Sequence, residues 1–178
     1  MRNLLLAIII LAAGRGTAIA DPTGLLVNGT LVKPISGENR VAESSGAGGE
    51  ILMLPTSNWL VQIGGYGVFG RPATGALARD IFDVHLQVGM TPAERTSTVA
   101  PYACLGIDVL SITTRDHDKG ETERGTTLGV SAQAGVLGRL GDRGLVKASG
   151  TYLGAIVPGT GDDLGGLVLQ LAAGMAFD

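Results

Sequence analysis

Residues 83 to 87 place an aspartate, a histidine and a glutamine at every second position of an extended segment. The segment reads Phe-Asp-Val-His-Leu-Gln-Val-Gly-Met from 82 to 90. An aspartate two residues from a histidine can orient the imidazole and form an acid–base pair. Covalent catalysis would also need a nucleophile within hydrogen-bond reach, and no serine adjoins a histidine in this sequence. We therefore expect no catalytic residues and a structural role for Asp83, His85 and Gln87.

The apolar residues of the same segment occupy the positions between the polar ones. A period of two residues indicates a β-strand with two unlike sides. The same alternation is clear at 99–113, 126–140 and 144–157. Prolines and glycine-rich connections separate the remaining segments. The predicted strands are 24–33, 49–55, 58–70, 79–91, 99–113, 126–140, 144–157 and 164–177.

Further polar residues occupy the same side of the later strands as the Asp83–Gln87 set. An eight-stranded barrel has an interior just wide enough for side chains, and polar groups buried there must find partners. We therefore expect a polar network that fills a narrow lumen. Its predicted members are Asp83, His85, Gln87, Asp108, Gln133, Lys147 and Gln170.

The first twenty residues have the pattern of a secretory signal peptide. A short basic start precedes the apolar run Leu4–Ala13, and a small-residue region ends Ala18-Ile19-Ala20. The run is about half of the ~20 residues that a spanning helix needs. We expect cleavage after Ala20, which leaves residues 21–178 as one β-barrel domain. This part holds 11 bases and 16 acids, a net charge of −5 that argues against nucleic-acid binding.

Aromatic spacing supports a membrane barrel. Trp59 and Phe69 are ten residues apart on one face. Ten residues span ~33 Å of strand, and a tilt of ~40° reduces this to ~25 Å, the height of the apolar band on such barrels. We therefore expect these residues, with Phe82 and Phe177, to lie at the two membrane interfaces.

The connection from 114 to 125 is predicted to be a charged outer loop. Its spacing does not match a calcium-binding loop, because Gly120 stands where a ligand is expected. His117 lies between two aspartates, but a solvated loop explains this cluster without an ion. We expect no metal and no cofactor. The charged residues of the loop are Arg115, Asp116, Asp118, Lys119, Glu121, Glu123 and Arg124.

Three stretches resemble the small outer-membrane β-barrels of Gram-negative bacteria, of the OmpA, OmpX, OmpW and opacity-protein type. They are the strand entry Ala-Pro-Tyr-Ala-Cys-Leu-Gly-Ile at 100–107, the tight turn at 139–143, and the closing alternation up to Phe177. The resemblance implies an eight-stranded antiparallel up-and-down transmembrane barrel in the bacterial outer membrane. It also implies outer-membrane lipid and lipopolysaccharide as partners, and surface partners for the outer loops.

The sequence leaves three functions open. The first is a non-enzymatic barrel with a structural or adhesion-like role through its outer loops. The second is OmpW-like passage of small apolar molecules across the outer membrane. The third is a soluble exported barrel or sandwich whose apolar faces turn inward and bind a small apolar ligand.

Overall fold

The chain forms one closed antiparallel barrel of eight strands. A computed structural model describes residues 23–34, 43–54, 58–71, 77–91, 98–116, 118–155 and 165–177. Each strand pairs with its neighbours in sequence, and the first strand pairs with the last. The predicted fold class is confirmed. The strands are β1 Thr23–Pro34, β2 Ser44–Met53, β3 Trp59–Gly70, β4 Leu77–Met90, β5 Val99–Asp116, β6 Glu121–Leu140, β7 Gly144–Ala155 and β8 Gly166–Phe177.

The expected signal peptide, residues 1–20, lies outside the described residues, as does His117. Within the described part of the chain, no helix is long and apolar enough to cross a membrane.

Strand β2 begins at Ser44, five residues earlier than the sequence predicts. Its first half reads Ser-Ser-Gly-Ala-Gly-Gly, a composition typical of a connection. The glycines are compatible with a strand here because β3 approaches closely. A Cβ added at Gly48 would overlap the carbonyl oxygen of Gly65 and lie 2.7 Å from the Cα of Tyr66, so a larger residue would force the β3 backbone away.

Strands β5 and β6 extend well into the segment predicted as a charged loop. Their pairing continues to Asp116 opposite Glu121, which leaves only a short turn between them. The Oδ1 of Asp116 accepts hydrogen bonds from the backbone N–H groups of Asp118 and Lys119, at 3.0 and 3.2 Å. Gly120 completes the turn with a φ of 69°, a conformation that favours glycine. The predicted loop is therefore a β-hairpin.

The outer surface of the barrel is apolar. Leu105, Leu128 and Leu171 expose 71%, 74% and 72% of their surface, and each lies on a strand whose alternate residues are buried. The apolar faces thus point away from the interior. A soluble barrel or sandwich with these faces turned inward does not fit this arrangement.

Two apolar clusters fill the lumen at different heights. We call the end that carries the β5–β6 connection the hairpin end, and the end that carries Gly141–Arg143 between β6 and β7 the turn end. Nine residues form the cluster at the hairpin end: Val32, Tyr66, Val68, Ile81, Leu110, Ile112, Leu153, Ala155 and Val168. Eight form the cluster at the turn end: Leu26, Leu52, Leu60, Tyr102, Cys104, Leu145, Ala172 and Ala176.

If the apolar outer face contacts lipid, a charge at its middle will be costly. Ile107 is 62% exposed and lies midway along the outer face of β5. We expect Ile107→Arg to lower the free energy of unfolding in phospholipid vesicles by about 2–4 kcal/mol. The measurement is reversible urea unfolding in those vesicles.

Thr122→Arg on the exposed part of β6 is the matched control, because it adds the same charge outside the apolar band. We expect it to change stability by less than about 0.5 kcal/mol. Equal effects of the two substitutions would contradict a lipid-facing position for Ile107.

Candidate functional site

A layer of polar side chains lies inside the barrel between the two apolar clusters. All seven residues predicted for the lumen network are in it, and each exposes no more than 3% of its surface. The sequence did not single out several other members. These are Asn28, Thr30, Glu50, Gln62, Ser131, Ser149 and Thr151.

Gln133 on β6 is the centre of the larger group in this layer. Its Oε1 accepts hydrogen bonds from Gln62 Nε2 and Tyr102 Oη, both at 3.1 Å. Its Nε2 donates to Thr151 Oγ1 at 2.9 Å and to Gln170 Oε1 at 3.3 Å. One amide thereby uses both its donors and both acceptor positions to join β6 to β3, β5, β7 and β8.

Lys147 is the cation of this group. Its Nζ donates to Glu50 Oε2 across the lumen and to Gln62 Oε1 at 2.9 Å. Lys147 and Glu50 side chains are both fully buried. A buried ion pair is tolerated only when it is well hydrogen-bonded, and the contact with Gln62 meets that requirement for the ammonium. The pair connects β7 directly to β2.

Asp83, His85 and Asp108 form a second, separate group. The Nδ1 of His85 lies 2.5 Å from Oδ2 of Asp83 on the same strand, and Asp108 on β5 is the cross-strand partner of His85. Gln87 extends this side of the lumen by donating to Ser131 Oγ at 3.1 Å. The seven predicted residues thus fall into two groups, with Gln133, Lys147 and Gln170 in the first.

Gln62 and Glu50 belong to the lumen network but were not predicted from the sequence, and the sequence pattern around each of them differs. Gln62 lies between Val61 and Ile63, so the period of two already placed it on the inner face of β3. Glu50 lies at the start of a segment predicted as short and nearly all apolar. Its inward position became evident only when β2 was found to begin at Ser44.

The four predicted interface aromatics all point outward, with exposures between 48% and 54%. Trp59 begins β3 and Phe177 ends β8, both at the turn end. Phe69 and Phe82 lie toward the hairpin end, where their rings meet edge to face with centroids 5.7 Å apart. Tyr152, which is 51% exposed near the end of β7, was not predicted as part of this set.

The charged outer cluster spans both strands of the hairpin and its turn. Arg115 on β5 forms an ion pair with Asp80 on β4, a partner that the sequence did not indicate. Lys119 Nζ lies 3.8 Å from Asp116 Oδ2. Residues 118 to 126 are all exposed, so this end of β6 projects beyond the packed part of the barrel.

A groove of about 810 Å³ lies in the barrel wall across β1, β8, β7 and β6. Small residues on the outward face produce it, including Gly29, Ala134 and Gly150. Leu31 and Leu171 are among the larger apolar residues beside it.

Several solved structures that resemble this barrel are outer-membrane proteins. The outer membrane protein OprG of Pseudomonas aeruginosa matches with a TM-score of 0.64 and 14% identity, over 87% of this chain and 96% of that one. Neisserial surface protein A matches with a TM-score of 0.62 and 11% identity, over 87% and 94%. Ail, the attachment invasion locus protein of Yersinia pestis, matches with a TM-score of 0.57 and 16% identity, over 88% and 97%.

The chain has the fold of the small outer-membrane β-barrels. At identities of 11–16% this likeness concerns the fold alone. No protein-family model matches the sequence, and the search of curated proteins found no match.

The Lys147–Glu50 pair yields a test of the interior. We expect Lys147→Met to lower the free energy of unfolding by about 3–5 kcal/mol, because it leaves a buried carboxylate without its cation. Adding Glu50→Gln should recover most of that loss by removing the charge. Urea unfolding in detergent micelles measures both effects.

Lys33→Met on the exposed face of β1 is the matched control, since it removes the same side chain from the outer surface. We expect it to be nearly neutral. A loss from Lys147→Met no greater than that from Lys33→Met would mean that the pair contributes nothing to holding β2 and β7 together.

Proposed function

We propose that this chain is an integral protein of the bacterial outer membrane, exported by a cleaved signal peptide, with a non-enzymatic role at the cell surface. The observation that carries the proposal is the reversed distribution of polarity. Large apolar side chains cover the outer wall, while a layer of charged and amide side chains is buried inside the barrel. Lipid is the solvent in which an apolar outer face is favourable. A closed barrel is also compatible with lipid because it pairs every backbone group of its strands within the hydrocarbon.

The interior offers little support for catalysis. Asp83, His85 and Asp108 are buried to at least 97%, and apolar side chains fill the lumen on both sides of their layer. A substrate would have to displace one of these clusters to reach them. We therefore place the function on the outer surface and assign the lumen a structural role.

The β5–β6 hairpin is the described part of the surface best suited to contact a partner. It is built from the two longest strands of the barrel, of 18 and 20 residues, and carries the mixed-charge cluster. One structural neighbour, Ail, is the attachment invasion locus protein of Yersinia pestis, and its structure was solved in complex with the heparin analogue sucrose octasulfate. By analogy we propose an adhesion-like contact, with lipopolysaccharide beside the barrel as a second partner.

Passage of small apolar molecules is the second candidate. The groove in the outer wall favours it, because an apolar solute in the membrane could lie there. The filled lumen opposes a direct route through the barrel. Single-channel recording tests the route through the lumen, since a barrel filled by side chains will conduct poorly.

The first test of the proposal is topology in intact cells. In a Cys104→Ala background, we expect Asp118→Cys on the hairpin to react with a membrane-impermeant maleimide. The matched variant Asp142→Cys, in the β6–β7 turn, should react only after the outer membrane is permeabilised. Labelling of Asp142→Cys alone in intact cells, or of neither variant, would contradict the proposed placement.

The second test concerns attachment. Removing four charges from the hairpin by Asp118→Asn, Lys119→Gln, Glu121→Gln and Glu123→Gln should reduce adherence of expressing bacteria to a mammalian cell monolayer. The matched control carries Asp142→Asn and Arg143→Gln at the opposite end and should adhere as the parent does. Unchanged adherence at equal surface amounts would remove the hairpin from the proposed contact.

A further inference from the structure

The group formed by Asp83, His85 and Asp108 has the composition of a cation site. Each residue offers one potential ligand atom, and these atoms lie within 4.8 Å of one another. The three residues expose only 2–3% of their surface. Two belong to β4 and the third to β5, so a shared ligand would connect two adjacent strands.

The hydrogen bonding of this group is incomplete. Asp83 Oδ1, His85 Nε2 and Asp108 Oδ2 are buried and have no hydrogen-bond partner among the described residues. Asn28, Glu50, Gln87, Thr91 and Ser149 in the described part also carry one unpartnered atom each. Asp83, His85 and Asp108 differ in that their potential ligand atoms lie within 4.8 Å of one another, and a buried polar atom without a partner costs about 1–3 kcal/mol. An ordered water or an ion can satisfy a buried group of this kind.

The net charge of the buried polar layer is negative, which favours a cation as the ligand. It contains three carboxylates, Glu50, Asp83 and Asp108, against one lysine and one histidine. Lys147 forms its ion pair with Glu50. The basic side chain in contact with Asp83 is His85, and a bound cation would compensate the remaining negative charge of the layer.

We propose that Asp83, His85 and Asp108 form a binding site for one divalent transition-metal ion inside the barrel. One imidazole and two carboxylates suit zinc and similar ions. Calcium is a poorer choice because it takes six to eight oxygen ligands. The proposal replaces the expectation from the sequence that the chain holds no metal.

The absence of a side chain at position 64 keeps the contact with Nε2 of His85 free of a Cβ. Gly64 on β3 is the cross-strand partner of His85, and a Cβ added there would come within 3.0 Å of Nε2. Because apolar clusters fill the lumen above and below, the ion would be structural and would enter while the barrel closes.

The test uses refolding with and without zinc. Full-length protein without an affinity tag is refolded from urea into detergent with zinc chloride or with EDTA. Free metal is then removed with EDTA, and zinc per folded barrel is measured by mass spectrometry. Heat-modifiable gel mobility gives the folded fraction. We expect one retained zinc ion per barrel and a higher thermal midpoint after refolding with zinc.

Three variants identify the site. His85→Gln and Asp108→Asn should each reduce retained zinc by at least about tenfold and abolish the rise in thermal midpoint. His117→Ala removes the other histidine of the chain and should retain zinc as the parent does. Absence of zinc from the folded parent would overturn the proposal, as would equal retention by Asp108→Asn. The parent and Asp108→Asn suffice if His85→Gln does not fold.

Discussion

The structure depends on the contact between polar side chains from opposite walls of a narrow lumen. In a closed barrel the backbone N–H and C=O groups are paired between neighbouring strands. They are therefore not available as hydrogen-bond partners for the side chains in the lumen. Each inward glutamine, lysine or carboxylate must find a partner across a few ångströms. Gln133 does so with four strands, and Lys147 does so with β2 and β3. These contacts fix which residues of opposite strands stand at the same height.

The position of the polar layer limits what the interior can do. Apolar clusters fill the lumen toward both ends, so the layer is separated from either aqueous side. Within it, the Gln133–Lys147 group is largely satisfied by protein atoms, whereas the Asp83–His85–Asp108 group is not. The contrast assigns the first group to stability, and the second is the cation site that we propose. In both cases the lumen is closed to larger molecules, so partners can contact the protein only at its outer surface.

The period of two residues was enough to predict the strands and the direction of most side chains. It placed Asp83, His85 and Gln133 inside and Trp59 and Phe69 outside, because neighbouring residues of a strand must point to opposite faces. It could not predict contacts across the lumen. Lys147 and Glu50 are 97 residues apart, and their meeting depends on the stagger of every strand between them. Local composition predicted connections at the glycine-rich start of β2 and at the charged hairpin. Both segments are strands because they pair with their neighbours.

The central claim is that the apolar face meets lipid while the polar face meets only protein. Nuclear Overhauser contacts in lipid nanodiscs test it most directly without altering any residue. The account predicts cross-peaks from acyl-chain protons to the methyl groups of Val84, Ile107 and Leu128, and none from acyl chains or water to the side-chain amides of Gln87 and Gln133. Water cross-peaks to those amides, together with Val84 and Leu128 methyl groups that show no contact with lipid, would contradict it.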